Sequence, residues 1–304
     1  MSRIEEALEK AALLRKTLEG STTGGTVQPA PRRPASSIPS YPVSPSPAAE
    51  IGNPLLVTVT DPHSPIAEEY RKLKTLLVTL TKQETFANTV MVTSTVGSEG
   101  KSLTALNLAI SLAQEFDHTV LLVDADLRKP SLHSYLGIDS PRGLSDCLVN
   151  GGDIAEILVR TGIGKLTLLP AGKPVRNPAE LFSSQNMADM IAEMKNRYPD
   201  RYIIIDTPPV LPFAETHSLG RLVDGVVFVV REGAAAMPDI TEALHNLKGA
   251  RILGMVYNEA SSAALNGRYS YYYHGYSGSP AGEAEPPRKK GLWGRLSGEA
   301  MKRV

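Results

Sequence analysis

From about residue 55 to residue 260, short apolar runs alternate with longer segments in which apolar residues recur every three or four positions. The short runs are rich in β-branched residues and predict strands, whereas the longer segments predict helices. Several of the short runs are apolar at every position, which is typical of strands buried on both faces of a sheet. The pattern therefore predicts an α/β fold with a mostly parallel central sheet and helices on both of its faces.

The boundaries of these elements follow from where each pattern begins and ends. The predicted strands are Thr89–Ser94, Val120–Asp124, Leu166–Pro170, Tyr202–Asp206, Gly225–Val230 and Ile252–Asn258. The predicted helices are Pro65–Leu80, Lys101–Phe116, Asn186–Arg197 and Asp239–Lys248.

Three further segments flank this domain, which we place at residues 55–260. Residues 1–19 predict an amphipathic helix, whose apolar face carries Ile4, Ala7, Leu8, Ala11, Leu14 and Leu18. That helix either docks on a partner or is simply solvated. Residues 20–54 are rich in proline and serine and predict a disordered linker, and residues 261–304 predict a flexible tail.

Charge and composition narrow the classes of function. Of 304 residues, 32 are lysine or arginine and 32 are aspartate or glutamate, so bulk charge gives no support for nucleic-acid binding. Cys147 is the one cysteine, the N-terminus lacks a secretory leader, and no apolar run reaches the roughly 18 to 20 residues that cross a bilayer. These features predict a cytoplasmic protein whose contact with a membrane is peripheral or made through a partner.

The clearest functional motif is the segment Thr95–Ser102, which lies directly between a predicted strand and a predicted helix. It departs from the strict phosphate-binding loop at its first position, where the motif has glycine. Glycines in this loop allow backbone N–H groups to approach phosphate oxygens, and a lysine adds a positive charge at the start of the helix. An ordinary glycine-rich turn is the alternative. We predict a P-loop NTPase-like fold whose nucleotide contacts are Gly97, Ser98, Glu99, Gly100, Lys101, Ser102 and Leu103.

Two more predicted strands end in acidic residues. Asp124 ends the second strand, with Asp126 two positions later, and Asp206 ends the fourth strand. Ligands of open α/β sheets bind at the carboxyl edge of the strands, so these carboxylates should converge beside the phosphate loop. A single aspartate after a strand is usually a helix cap, but three of them beside such a loop need a cation to neutralise them. We predict Mg²⁺, bound by Ser102, Asp124 and Asp206.

A nucleotide also needs its base held. Asn258 ends the last predicted strand, and its amide is a candidate for hydrogen bonding to adenine. A turn-forming role for this asparagine is equally open.

Tyrosines cluster near the C-terminus, where five of the eleven in the chain lie between positions 269 and 276. The residues between them are mostly polar or glycine, which argues against a buried aromatic strand. The remaining alternatives are an aromatic binding patch and a set of phenols that accept phosphoryl groups. We predict the second, with the acceptors Tyr269, Tyr271, Tyr272, Tyr273 and Tyr276.

Together, these motifs resemble the bacterial P-loop tyrosine kinases, the BY-kinase family, and among them the tyrosine autokinases of exopolysaccharide and PEP-CTERM (exosortase) loci. The resemblance covers roughly residues 55–276. The family shares the degenerate phosphate loop, the Asp-x-Asp-x-Arg pattern of residues 124–128, and the apolar strand that ends at Asp206. Residues 169–181 resemble the family's segment that ends in Asn-Pro-x-Glu-Leu, and the tyrosine cluster completes the set.

The resemblance implies a protein-tyrosine kinase that uses ATP and Mg²⁺, phosphorylates its own C-terminal tyrosines and regulates exopolysaccharide synthesis or export. Lys101 and the loop amides then hold the phosphates, and Asp126 orients the attacking phenol, which is protonated at neutral pH. Arg128 either stabilises the transferring group or pairs with a nearby acid. The predicted catalytic residues are Lys101, Asp124, Asp126, Arg128 and Asp206.

The partners implied by the resemblance are a second copy of the chain and a membrane protein. The family's self-association motif, Glu-x-x-Arg-x-x-Arg, corresponds to Glu68, Arg71 and Lys74, where lysine keeps the charge but loses the planar fork of arginine. We expect a homo-oligomer, such as a ring, although these residues also fit a solvated helix face with ion pairs. Many relatives carry a fused transmembrane activator, so a separate membrane polysaccharide co-polymerase or activator is expected. The basic residues 286–304 either lie on anionic lipid at the inner face of the plasma membrane or form a disordered tail.

Two other functions share parts of this pattern. A spatial-organising ATPase of the ParA or MinD kind has the same loop and acidic strand ends, but normally carries a second lysine where this chain has Val96. The tyrosine cluster also has no place in the mechanism of such an ATPase. The third candidate is a catalytically silent nucleotide-binding protein that regulates polysaccharide chain length.

Overall fold

The structure is a computed structural model that describes residues 52–82, 86–197 and 200–261. Its helices are α1 Val57–Thr60, α2 Pro65–Thr81, α3 Lys101–Ala113, α4 Leu132–Tyr135, α5 Leu144–Asn150, α6 Pro178–Phe182, α7 Gln185–Arg197, α8 Glu215–Gly220 and α9 Met237–Asn246, with a 3-10 turn at Ile154–Glu156. Its strands are β1 Thr89–Ser94, β2 Thr119–Asp124, β3 Val159–Arg160, β4 Leu166–Leu169, β5 Arg201–Asp206, β6 Gly225–Arg231 and β7 Ile252–Asn258. The predicted N-terminal helix, residues 20–51 of the predicted linker, the tyrosines at 269–276 and the basic residues 286–304 lie outside the described residues.

The strands of the described residues form one seven-stranded sheet in the order β3-β4-β2-β5-β1-β6-β7. Neighbouring strands are parallel, except that β3 runs antiparallel to β4 at one edge. β5 is inserted between β1 and β2, although it follows both in the sequence. The order therefore brings the carboxyl ends of β1, β2 and β5 side by side.

The alternation of side chains along the strands divides the core into two layers, one on each face of the sheet. One layer packs against α5, α6, α7 and α9, and includes Met91, Ile203, Phe228, Leu144, Phe182, Met187 and Ile240. The other packs against α2 and α3, and includes Val92, Ile204, Val229, Leu77, Leu106 and Ile110. The predicted α/β class, with a mostly parallel sheet covered on both faces, is confirmed.

The predicted strand ends agree with the structure to within one residue, whereas the helix ends shift further. α3 ends at Ala113 rather than Phe116, because the carbonyl of Ala113 accepts a hydrogen bond from the backbone N–H of Lys165 (3.1 Å). α9 begins at Met237 rather than at Asp239, whose carboxylate accepts a hydrogen bond from the backbone N–H of Ala236 (3.4 Å). Tertiary contacts and capping thus set both ends.

Several short elements were not predicted from the sequence. These are β3, the 3-10 turn and the helices α1, α4, α5, α6 and α8, none of which exceeds seven residues. Such segments are too short for hydrophobic periodicity to be recognised. Two of them matter for function, because α4 follows the acidic end of β2 and α8 follows the acidic end of β5.

Candidate nucleotide-binding and catalytic site

The loop after β1 and the acidic ends of β2 and β5 meet at one edge of the sheet. Asp124 and Asp206 are register partners in neighbouring strands, and Val92 of β1 is the partner of Asp206 on its other side. The phosphate loop begins at Thr95, immediately after β1. The fold therefore places this loop beside both aspartates.

Glu99 supports the phosphate loop from inside the protein. Its side chain is buried, and one carboxylate oxygen accepts a hydrogen bond from the backbone N–H of Val96 (2.7 Å) while the other accepts one from the backbone N–H of Arg231 (3.3 Å). The carboxylate of Glu99 thus binds the backbone of the loop and of β6. The predicted contact of Glu99 with a nucleotide would therefore be made by its backbone. The side-chain amide of Asn258 donates to the carbonyl of Glu99 (3.0 Å), so β7 is fastened to the same loop. Its predicted contact with adenine stays a prediction.

The outer side of the loop is open at Gly97. A Cβ on Gly97 would meet no atom of the described residues within 4 Å. Ser98 and Gly100 have φ values of 64° and 90°, which turn the backbone around this space. Helix α3 begins at Lys101, so the unpaired N–H groups of its first turn, which includes Ser102 and Leu103, and the positive end of its dipole face the loop. The loop and helix together form a cradle suited to phosphate.

The ammonium group of Lys101 lies among the acidic side chains of the site. Its Nζ is 3.2 Å from Asp126 Oδ2, 3.2 Å from Ser102 Oγ and 3.8 Å from Asp206 Oδ1. Burial lowers the pKa of Lys101, but the carboxylates of Asp206, Asp126 and Asp124 more than offset this effect, so the pKa is raised above its ordinary value. Lys101 is therefore a charged and largely buried cation beside the phosphate loop.

Asp206 is the carboxylate best suited to bind a metal ion. It is fully buried, and neither of its oxygens accepts a hydrogen bond from the described residues. Burial raises the pKa of Asp206, and the ammonium of Lys101 opposes that rise. Buried carboxylate oxygens without hydrogen bonds are costly even beside an ammonium group at 3.8 Å, and a divalent cation would satisfy them.

The donor set around Asp206 suits magnesium in particular. Within residues 52–82, 86–197 and 200–261, no group of three or more His, Cys, Asp or Glu side chains is arranged to hold a metal ion by itself. Mg²⁺ typically takes only one or two carboxylates from a protein and completes its shell with water and phosphate oxygens. A carboxylate, the neighbouring hydroxyl of Ser102 and a phosphate cradle therefore fit Mg²⁺ bound together with a nucleotide.

Asp124 differs from Asp206 because its oxygens already hold the backbone. Oδ1 accepts a hydrogen bond from the N–H of Asp126 (3.2 Å), and Oδ2 accepts from the N–H groups of Ser131 and Leu132 (3.0 Å each). Burial, together with the charge of Asp206, raises the pKa of Asp124 to about 7. Asp124 thus shapes the segment between β2 and α4 in addition to lining the site.

Asp126 bridges the lysine and this same segment. While its Oδ2 faces Lys101, its Oδ1 accepts a hydrogen bond from the backbone N–H of Lys129 (3.0 Å). The carboxylate is nearly buried, with the residue 6% exposed. Asp126 is therefore held rigidly next to the ammonium group that faces the phosphate loop.

Arg128 pairs with an acid that the sequence did not indicate. Its Nε donates to Glu215 Oε1 (2.5 Å), so the predicted pairing with a nearby acid is observed, while a contact of Arg128 with the transferring group stays a prediction. Glu215 lies at the start of α8, nine positions after Asp206. Helix α8 has only six residues, too few for a hydrophobic periodicity to be recognised in the sequence. The sequence shows an acidic residue shortly after the Asp206 strand, but it does not show that this residue pairs with Arg128.

The residues of the expected self-association motif make ion pairs within the chain. Glu68 pairs with Arg71 on the surface of α2. Lys74 pairs with Glu115, with 2.7 Å between Nζ and Oε1. All three side chains lie along one helix, and their contact with a second copy stays a prediction.

Comparison with known proteins assigns the chain to a family. A match to the AAA domain family covers residues 87–252, which include the phosphate loop and the acidic ends of β2 and β5. Tyrosine-protein kinase YwqD of Bacillus subtilis is 33% identical over 220 residues, which make up 71% of this chain and 90% of that protein. The chain belongs to the bacterial tyrosine-protein kinases.

Other relatives of the kinase extend the comparison. Tyrosine-protein kinase wzc of Salmonella typhi is 31% identical over 224 residues, which are 73% of this chain but only 31% of the length of that relative. The solved kinase domain of Escherichia coli tyrosine kinase ETK is 28% identical, with a TM-score of 0.62 over 67% of this chain and 79% of that domain. Membership of this family confirms the predicted tyrosine kinase and the nucleotide-binding fold, and it decides against an ATPase of the ParA or MinD kind.

Proposed function

We propose that this tyrosine-protein kinase transfers the γ-phosphoryl group of ATP to its own C-terminal tyrosines, Tyr269, Tyr271, Tyr272, Tyr273 and Tyr276. The observation that carries the proposal is the position of the Lys101 ammonium between the carboxylates of Asp126 and Asp206 beside the phosphate loop. The first acceptor follows Asn258, the end of β7, by eleven residues. An extended chain of that length spans roughly 36 Å, which allows the tyrosines to reach a site on the same or a neighbouring subunit.

Each described site residue has a role in this proposal. Lys101 and the N–H groups of the loop and of α3 hold the phosphates of ATP. Mg²⁺ supplies charge neutralisation for the phosphoryl group. Asp206 and Ser102 would hold Mg²⁺, and Asp124 would act directly or through water, since its oxygens also hold the backbone. Asp126 orients the tyrosine hydroxyl and accepts its proton as the phenolic oxygen attacks the γ-phosphorus, whose bond to the β-phosphate oxygen breaks so that ADP leaves.

The regulatory setting of the proposal is exopolysaccharide synthesis or export, which is supported by the resemblance to the autokinases of such loci. Each phosphotyrosine adds about 1.5 to 2 negative charges, so several of them would weaken a homo-oligomer by repulsion. Among the described helices, none is both long and apolar enough to span a bilayer. The proposed means of recruitment to the inner face of the plasma membrane are a separate membrane co-polymerase or activator, which the same resemblance implies, and the basic residues 286–304.

The proposal is tested by incubating the purified kinase with ATP and Mg²⁺ and mapping phosphotyrosine by antibody and mass spectrometry. We expect label on the C-terminal tyrosines, and at least a 100-fold lower rate in Lys101→Met. A variant with all five tyrosines changed to phenylalanine should bind ADP normally and gain no label. Equal label in Lys101→Met would reject the proposal, and nucleotide binding without any label would favour the catalytically silent regulator instead.

A further inference from the structure

Arg128 is held by a glutamate that is far less accessible than the arginine itself. The side chain of Glu215 is 1% exposed and that of Arg128 is 35% exposed. Two hydrogen bonds join them, from Nε to Oε1 (2.5 Å) and from Nη2 to Oε2 (3.4 Å). The guanidinium carbon also lies 4.5 Å from the centre of the Phe213 ring, which provides a cation–π contact. The arginine is thus fixed from one edge and from one face.

This pairing leaves part of the guanidinium group available. Glu215 occupies the edge formed by Nε and Nη2, and Nη1 donates to none of the residues that the structure describes. The guanidinium also lies close enough to Asp126 for the two charges to interact. Since Asp126 contacts Lys101, a line of alternating charges runs from the phosphate loop to Arg128. Arg128 therefore lies close to the acidic end of the phosphate site, and its Nη1 has no acceptor among the described residues.

Burying the carboxylate of a glutamate is energetically unfavourable, and an ordinary surface ion pair does not require it. Removing a carboxylate from water is unfavourable unless a well-placed cation compensates for it. A freely moving arginine side chain loses rotamer entropy when it binds an anion. Holding it beforehand reduces that loss, which is the advantage of a preorganised charge in catalysis.

We propose that Glu215 is a positioning residue that, with Phe213, holds Arg128 so that its free N–H groups contact the phosphoryl group during transfer. This inference rests on the proposed kinase function and adds two residues to its site. Arg128 is then a catalytic residue, because it touches the reacting group, whereas Glu215 acts only through Arg128. The alternative is that the pair merely ties α8 to the segment after β2.

The first test is a double-mutant cycle on autophosphorylation with Glu215→Gln and Arg128→Ala. We expect Glu215→Gln to lower kcat at least tenfold while the KM for ATP changes less than twofold. Arg128→Ala should lower kcat at least as much, and the double variant should match Arg128→Ala within twofold, because Glu215 acts through the arginine. The inference would be overturned if the loss of kcat in the double variant equalled the product of the two single losses, or if Glu215→Gln had a normal kcat.

The second test does not depend on turnover. Calorimetry measures the affinity for MgADP with and without aluminium fluoride, which mimics the transferring phosphoryl group. We expect aluminium fluoride to tighten ADP binding at least tenfold in the wild type and less than threefold in Glu215→Gln, with the affinity for ADP alone unchanged within twofold. An undiminished gain in Glu215→Gln would overturn the inference.

Two further variants separate positioning from stability. Asp224→Asn breaks a different ion pair, the one between Asp224 and Lys195. The carboxylate of Asp224 also accepts a hydrogen bond from the backbone N–H of Thr89. This variant should melt at a lower temperature and keep kcat within twofold. Arg128→Lys keeps a cation beside Glu215 but lacks the planar guanidinium group. Aluminium fluoride should therefore no longer tighten ADP binding in this variant, which provides a test even if Glu215→Gln does not fold. A wild-type chain that fails to phosphorylate itself would count against the proposed function, while the analogue measurement would still decide the role of Glu215.

Discussion

The side-chain amide of Asn258 packs so closely against Gly100 that the glycine has no room for a methyl group. A Cβ on Gly100 would lie 2.1 Å from Asn258 Nδ2. Gly100 also has a φ of 90°, a conformation that residues with a Cβ rarely adopt. An alanine at this position would therefore have to displace the Asn258 amide and adopt a strained φ.

Gly100→Ala should lower the free energy of unfolding by about 2 kcal/mol. About half of this loss comes from the positive φ and about half from displacing the hydrogen bond of Asn258. Urea unfolding followed by circular dichroism measures the change. Gly233→Ala is the matched control, because Gly233 has a φ of 72° but a Cβ there would meet no described atom within 4 Å. It should cost about 1 kcal/mol, and equal losses in the two variants would contradict the role of Asn258.

Asp206→Asn and Asp124→Asn should affect stability in opposite ways. Asp206→Asn removes a buried charge that has no hydrogen-bond partner and only a 3.8 Å ion pair with Lys101, which keeps its closer pair with Asp126. We therefore expect equal or greater stability but at least a 100-fold loss of kinase activity. In Asp124→Asn an NH₂ group would face N–H donors from the backbone, with a loss of about 2 kcal/mol. Urea unfolding and the Mg²⁺ dependence of ADP binding measure both effects. Lower stability in Asp206→Asn than in Asp124→Asn would count against this assignment of the two carboxylates.

Removal of Glu68 and Arg71 should reduce the mass of the particle in solution. Their exposed ion pair contributes less than about 1 kcal/mol to folding, so Glu68→Ala with Arg71→Ala should leave the melting temperature nearly unchanged. Light scattering after size-exclusion chromatography measures the mass. The matched control is Glu193→Ala, which breaks the comparable surface pair with Arg197 on α7 and should leave the mass unchanged. Identical masses for wild type and double variant would exclude self-association through α2.

Cys147 should resist alkylation in the folded protein. The residue is 2% exposed, and burial, with the nearby charge of Asp146, raises the pKa of its thiol to about 11. At pH 8 only about one thiol in a thousand is then ionised, against roughly one in four at the ordinary pKa of an unfolded cysteine. We expect iodoacetamide to react at least 100-fold more slowly with the native protein than with the urea-unfolded protein, as measured by mass spectrometry. Rapid alkylation of the native protein would show that this part of the core opens readily.

The strands, the long helices and the phosphate loop were predictable because each depends on a local pattern of residues. Even the meeting of Asp124 and Asp206 followed from the sequence, since parallel strands present their carboxyl ends at one edge of a sheet. The short helix α8 was missed, and with it the part of the site that contains Glu215.

The sequence by itself therefore determined the class of fold, the kind of loop and the set of acidic residues available to a kinase. Only the tertiary structure decided what each side chain contacts: Glu99 faces inward, Asp124 holds the backbone while Asp206 does not, and Arg128 is paired. The physical reason is that such contacts join segments far apart in the chain, and their distances are set by how the strands and helices pack rather than by any local preference.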